Sequence, residues 1–140
     1  MRIKFTKINK SHIFQVIKLL NNNISSYIPK LNNLNKISKI FFLQKNTFAI
    51  VALTKKTIIG YGFAILEYKI RGGIACHIED IVVEKEYRKF GVGKSLMNKL
   101  SNYAKKKNCY KMSLQCKSNN VKFYKKCGFK INGVTMQKLI

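Results

Sequence analysis

Acid is scarce in this sequence. Five of its 140 residues are Asp or Glu, against 28 Lys and Arg, for a net charge of +23. So few carboxylates build neither an acidic groove for polyamines or basic peptide tails nor an oxygen cage for a hard cation. Histidine occurs twice, and the four cysteines (Cys76, Cys109, Cys116, Cys127) form no CxxC pair and no zinc-like spacing with His12 or His77, so no metal is expected. Those cysteines read as reduced, partly buried thiols of an intracellular protein. Long hydrophobic runs are missing as well. The longest, Phe48 to Leu53, falls far short of the roughly 20 residues that span a bilayer. The basic opening MRIKFTKINK is not followed by the apolar run of a secretory signal. The expectation is a soluble, cytoplasmic protein without a membrane partner. No repeat, linker or low-complexity tail interrupts the chain, which reads as one domain over 1–140.

The excess of base is almost all lysine. Arginine occurs only at Arg2, Arg71 and Arg88, whereas proteins that read base edges lean on arginine's fork. The lysines are scattered among many asparagines, a pattern that AT-rich coding produces without selection for binding. Nucleic acid is therefore not the expected partner, although such a surface attracts small polyanions.

Periodicity gives the elements. Ile3 to Ile8 alternates as a first strand. Asn9 or Ser11 can cap a helix to about Leu20 whose apolar face is Ile13, Val16, Ile17 and Leu20. Asn21 to Asn35, with the single proline Pro29, reads as a loop that can hold a fragment of helix, and a second helix around Ile37 to Gln44 ends before Thr47. Strands Phe48–Leu53 and Thr57–Leu66 flank a short turn, and Gly60 and Gly62 mark a bulge or a close packing approach. Arg71-Gly72-Gly73 turns the chain into a third strand of this run, Ile74–Val83. Val92, Leu96, Met97, Leu100, Tyr103 and Ala104 form a helical stripe ended by three lysines. A strand over Lys111–Cys116 and a short helix over Asn120–Cys127, stopped by Gly128, follow. One or two closing strands surround the turn dipeptide Asn132-Gly133. The order is β-α-α-β-β-β-α-β-α-β, an α/β (α+β) fold with a mixed central sheet flanked by helices.

The chemistry concentrates between His77 and Leu96, HIEDIVVEKEYRKFGVGKSL. A β-branched strand carrying two adjacent acids runs into Arg88-Lys89-Phe90-Gly91-Val92-Gly93-Lys94 and then directly into a helix. Unpaired N–H groups at a helix start, the positive end of its dipole and glycine's lack of a side chain together make an anion cradle. Its spacing is neither that of a P-loop nor that of a dinucleotide fingerprint. Arg-x-x-Gly-x-Gly after such a strand resembles the acyl-CoA loop of the GNAT N-acetyltransferases, whose element order the whole chain shares. His77-Ile78-Glu79-Asp80-Ile81-Val82-Val83, Cys109-Tyr110-Lys111 and Asn120-Val121-Lys122-Phe123-Tyr124-Lys125-Lys126-Cys127-Gly128-Phe129 resemble, more narrowly, the glucosamine 6-phosphate N-acetyltransferases. The amino-terminal half matches only in its pattern of elements.

That resemblance implies acetyl transfer from acetyl-CoA to the amine of glucosamine 6-phosphate, a step of UDP-GlcNAc biosynthesis. Transfer would be direct, within a ternary complex, in a homodimer with the site at or near its interface. It assigns Tyr124 to the departing thiolate, and Glu79 and Asp80 to the sugar. The main chain of Ile81, Val82 and Val83 would pair with pantetheine amides. Arg88, Lys89, Phe90, Gly91, Val92, Gly93 and Lys94 would cradle the pyrophosphate, chiefly through backbone N–H groups, with Asn120, Val121 and Lys122 beside the pantetheine. Adjacent strand residues point to opposite faces, so Glu79 and Asp80 share a side only if a bulge re-aims one of them. Two departures stand out. Gln115 replaces an acid the family aims at the amine, and glutamine accepts a hydrogen bond but no proton. The base is then Glu79, Asp80, a water, or no residue. Near the carboxyl end, where the resemblance implies an arginine, the nearest cation is Lys138, which leaves Lys138, Lys69 and Arg71 as phosphate candidates. The same fold acting on a protein amino terminus, a lysine or a polyamine is the alternative reading, with a non-catalytic CoA- or nucleic-acid-binding module behind it.

Overall fold

The computed structural model describes residues 1–24 and 31–140. The loop expected over Asn21–Asn35 falls partly outside them, Pro29 included. Asn21 to Asn23 belong to the first helix, and Leu34 and Asn35 already belong to the second.

Five strands form one sheet: β1 (Ile3–Lys7), β2 (Thr47–Thr54), β3 (Thr57–Tyr68), β4 (Ile74–Val83) and β5 (Lys111–Leu114), in the order β1-β2-β3-β4-β5. The first four pair antiparallel and β5 runs parallel to β4. That parallel step requires a crossover, which α3 (Val92–Lys106) supplies. Helices α1 (Ile13–Asn23) and α2 (Leu34–Leu43) lie on the other face. Asn9 caps the entry to α1, its side chain accepting from the Ser11 amide at 2.9 Å while His12 Nδ1 accepts from the Asn9 amide.

Alternation in the strands divides the core in two. Ile50, Ala52, Ala64, Cys76 and Ile78 face the α3 stripe of Val92, Leu96, Met97, Leu100 and Ala104. Ala49, Val51, Tyr61, Phe63 and Val82 face Ile13, Val16, Ile17 and Leu19 of α1. The α3 helix lies close on β3 because that strand carries glycine there. A Cβ on Gly60 would stand 3.2 Å from Leu96 Cδ1 and Val92 Cγ1, and one on Gly62 2.8 Å from Ile81 Cδ1. Among the described residues no helix is long and apolar enough to cross a membrane.

The closing strands expected around Asn132-Gly133 are not formed. After α4 (Val121–Lys126) and its stop at Gly128, in the left-handed region at φ 92°, no strand follows. Phe129 still packs on the core, but Ile131, Val134, Met136, Leu139 and Ile140 are exposed. A strand needs a neighbour for its N–H and C=O groups and a face for its apolar side chains. Among the described residues this segment finds neither.

Candidate functional site

The site is set by an irregularity in β4. Phe63 pairs with Glu79 and Tyr61 with Val82, so Gly62 alone opposes Asp80 and Ile81. That is a bulge with one extra residue, and Asp80 takes its left-handed turn at φ 53°, a conformation Asp tolerates better than most residues. Gly62 makes it possible, since a side chain there would collide with Ile81. The bulge shifts the alternation. Cys76 and Ile78 before it, and Ile81 and Val83 after it, pack toward α3. The opposite face is left to His77, Glu79, Asp80 and Val82. Both acids therefore share the α1–α2 side, the outcome that alternation without a bulge forbids. Asp80 lines a cleft of about 150 Å³ with Ile13, Val16, Leu20, Phe41 and Tyr61. It keeps solvent access along one side, yet these apolar neighbours desolvate its carboxyl and raise its pKa above the usual carboxylate value.

The same bulge turns β4 away from β5. Pairing runs from Ala75↔Lys111 to Ile78↔Leu114 and stops. The strand expected to reach Cys116 ends at Leu114 for that reason, and Gln115 sits exposed just past its end. Beyond Ile78 the β5-side edge of β4, with the main chain of Ile81, Val82 and Val83, has no strand neighbour among the described residues.

At the far end of that open edge a short 3-10 helix, Lys85–Phe90, leads into α3. It was not legible in the sequence, although Glu84 accepts from the Lys85 amide as its cap. Gly91 ends it at φ 72° and starts α3. Gly93 is required for another reason, because a Cβ there would lie 3.1 Å from Phe123 Cζ. The two glycines thus hold the helix start open and let α4 approach it. Lys89, Phe90 and Lys94 are exposed around this start, and Val92 is buried. Arg88 is engaged elsewhere. Its Nε donates to the Val83 carbonyl at 3.0 Å and its Nη2 to Asn23 Oδ1 at 2.9 Å.

On the α3 side of the opening, Asn120 and Lys122 are exposed, Val121 is half-buried, and α4 carries Tyr124 inward. The Tyr124 ring meets Phe123 and Phe129 edge-on, at 5.0 and 6.0 Å between centroids. Burial, then the neighbouring thiols of Cys116 and Cys127, push its phenol up to about 12. A helix start, a free strand edge and a phenol thus line one side of the β4–β5 gap, with two carboxylates on the other. An extended donor fits the first side and a small acceptor the second.

Residues 18–129 match the family model of the acetyltransferase (GNAT) family. The chain belongs to the GNAT acetyltransferase family. It is similar to glucosamine 6-phosphate N-acetyltransferase 1 of Dictyostelium discoideum, 40% identical over 114 residues that make up 79% of this chain and 69% of that one. The glucosamine 6-phosphate N-acetyltransferase of Schizosaccharomyces pombe is 39% identical over 83 residues, 58% of this chain and 75% of that one. The crystal structure of glucosamine-6-phosphate N-acetyltransferase from Arabidopsis thaliana superposes with a TM-score of 0.85 at 26% identity, over 99% of both chains.

Other expected residues of this GNAT chain lie apart from the gap. Lys69 and Arg71 sit at the turn between β3 and β4, roughly 20–25 Å along the strands from Asp80. Lys69 is moreover bound to Glu67, and Lys138 lies in the exposed segment after α4. Sequence reasoning also missed a polar chain at the paired end of β4. Ser113 Oγ meets His77 Nδ1 at 2.8 Å, and His77 Nε2 meets Glu67. The hydrogen bonds of Lys69 and then His77 hold the Glu67 carboxyl down at about 2. No local pattern announces this cluster, because three different strands contribute to it.

Proposed function

We propose that this GNAT chain transfers the acetyl group of acetyl-CoA to the amine of D-glucosamine 6-phosphate, directly and within a ternary complex. The observation that carries the reading is the β4 bulge, which sets Glu79 and Asp80 across the gap from Tyr124 and the α3 start. The donor's pyrophosphate meets the N–H groups of Val92, Gly93 and Lys94, and its pantetheine arm pairs with the open edge of Ile81 to Val83. Asn120, Val121 and Lys122 flank that arm.

The amine attacks the thioester carbonyl, the C–N bond forms, the C–S bond breaks, and CoA leaves as the thiolate. A carboxyl raised by desolvation is a stronger base than an ordinary aspartate, which favours Asp80 over Glu79 for taking the amine's proton. Tyr124 donates a hydrogen bond to the departing sulfur. With its own phenol near 12 it stabilises a thiolate of ordinary pKa, about 8.5, without surrendering its proton to it. Gln115, at the mouth of the gap, orients the amine through its carbonyl oxygen. On this reading Gln115→Glu changes kcat by only a few fold, whereas Gln115→Leu raises the barrier by about 1–3 kcal/mol, the cost of an unpaired polar group. The pH–rate profiles decide. A large gain in Gln115→Glu with the acidic limb moved downward would show that position 115 is the natural place for the base.

The direct test of function is CoA release with glucosamine 6-phosphate, free glucosamine, spermidine and peptide amino termini as acceptors. The sugar phosphate should give the highest kcat/KM, and turnover of peptides but not of the sugar phosphate would overturn the reading. We further propose a homodimer. The exposed Val134-Thr135-Met136 alternation and the edge of β5, without a strand neighbour among the described residues, are unmet needs that a second copy satisfies together, and the exchange would carry Lys138 toward the partner's site. Sedimentation should report a dimer that truncation after Gly128 converts to monomer, and a full-length monomer at micromolar concentration would refute it. Four free cysteines fit the reducing cytoplasm.

A further inference from the structure

The five acids of this chain, Glu67, Glu79, Asp80, Glu84 and Glu86, all fall within twenty residues. They lie on the later part of β3, on β4 and on the turn after it. The opposite flank of the sheet, where β1 and β2 meet α3, carries lysines and no acid at all. An open cleft of about 370 Å³ lies on that flank, lined by Phe5, Thr6, Lys7, Phe48, Lys99, Asn102, Tyr103 and Lys106, with Ile50 at its base. That volume is within the range of small-molecule sites, roughly 300–1,000 Å³.

Its construction is specific. Lys99, Asn102, Tyr103 and Lys106 are spaced i, i+3, i+4, i+7 and so share one face of α3. The Tyr103 ring of α3 stacks on Phe48 of β2, 4.6 Å between centroids and 15° between planes. Phe5 adds a second aromatic ring, and lysines lie over the ring faces, Lys99 Nζ 5.4 Å from the Phe5 centroid and Lys107 Nζ 5.9 Å from that of Tyr103, where a base would take their place. Lys7, Lys99, Asn102 and Lys106 are exposed around an apolar aromatic floor. Without carboxylates nearby, the three ammonium groups are balanced only by mobile counterions, which an organic anion displaces. Tyr103 stands ten residues beyond Gly93, roughly 15 Å along the helix axis, and on the β1 side of α3, away from α4. The cleft is thus separate from the acetyl-transfer site.

We propose that this cleft binds a nucleoside phosphate, its phosphates among Lys7, Lys99 and Lys106 and its base on the surface of Phe5, Phe48 and Tyr103. A planar base with a phosphate tail satisfies the floor and the rim together, and stacking on an aromatic face needs no particular base. The proposal stands independently of the acetyl acceptor.

The test is calorimetric titration with adenosine 5′-diphosphate and uridine 5′-diphosphate, on protein saturated with coenzyme A and in parallel on Gly91→Asp. Both nucleotides should bind saturably at one site, in both proteins, and pyrophosphate should bind at least tenfold more weakly. Lys99→Glu with Lys106→Glu should weaken binding tenfold or more. Lys36→Glu with Lys39→Glu, an equal change of charge on exposed residues of α2, should change it less than twofold. Tyr103→Leu should bring nucleotide affinity down to that of pyrophosphate. Absence of saturable binding, equal loss in both charge-reversed pairs, or loss in Gly91→Asp but not in the cleft pair would each overturn the assignment.

Discussion

Tyr124→Phe is expected to lower kcat by roughly 10²–10³, the usual cost of deleting one donor aimed at charge that develops in the transition state. The ring keeps its edge-on contacts with Phe123 and Phe129, so the melting temperature should hardly move, and KM for the acceptor should stay within a few fold. The pH dependence carries a second signature. A group whose pKa is raised to about 12 stays protonated through neutral and moderately alkaline pH, so the phenol should not cause kcat to fall below roughly pH 11. Any alkaline limb below that must persist in the Phe variant. Measuring kcat from pH 6 to 10 for both proteins checks both statements. Equal kcat across the range would leave Tyr124 as a packing residue.

Gly91→Asp is expected to lower CoA affinity at least tenfold, about 1.4 kcal/mol, in a protein that still folds. Space is not the issue, because a Cβ at position 91 meets nothing within 4 Å. The left-handed φ of 72° is one that Asp and Asn tolerate better than other residues, and a carboxylate at a helix start suits the helix itself. It repels the phosphates that need the same N–H groups. Gly91→Asn carries the same shape without the charge and should retain most of the affinity. Titration of CoA into both variants separates electrostatic exclusion from strain. Near-normal binding by Gly91→Asp would remove the pyrophosphate from this loop.

Much of this architecture was legible in the residues. β4 begins at Ile74 and ends at Val83, as its β-branched run indicates. The buried stripe of α3 is the one its spacing predicts except at Tyr103, which is half-buried, and Gly128 stops α4 where expected. These features are local, recorded in spacing and turn chemistry. The bulge was foreseeable only as a condition. Whether Glu79 and Asp80 share a side depends on which residue of β3 lies opposite them, and Gly62 is some eighteen positions away in the chain. Position 115 failed similarly, since β5 stops where its partner turns away rather than where its own pattern weakens. The closing strands failed because strand-like residues are necessary for a strand but a neighbour is what makes one.

The rarity of arginine acquires a meaning at position 88. The chain spends lysine freely, yet here one side chain must serve two acceptors on separate elements, the Val83 carbonyl at the end of β4 and Asn23 in the last turn of α1. A guanidinium does this with a rigid planar fork, whereas an ammonium is a single point that satisfies one partner well. The result is a link between the two sides of the gap: Arg88 joins the loop that precedes the α3 helix start to the helix that walls the Asp80 cleft. The two sides of the gap are thereby tied by one side chain, around the sheet rather than through it.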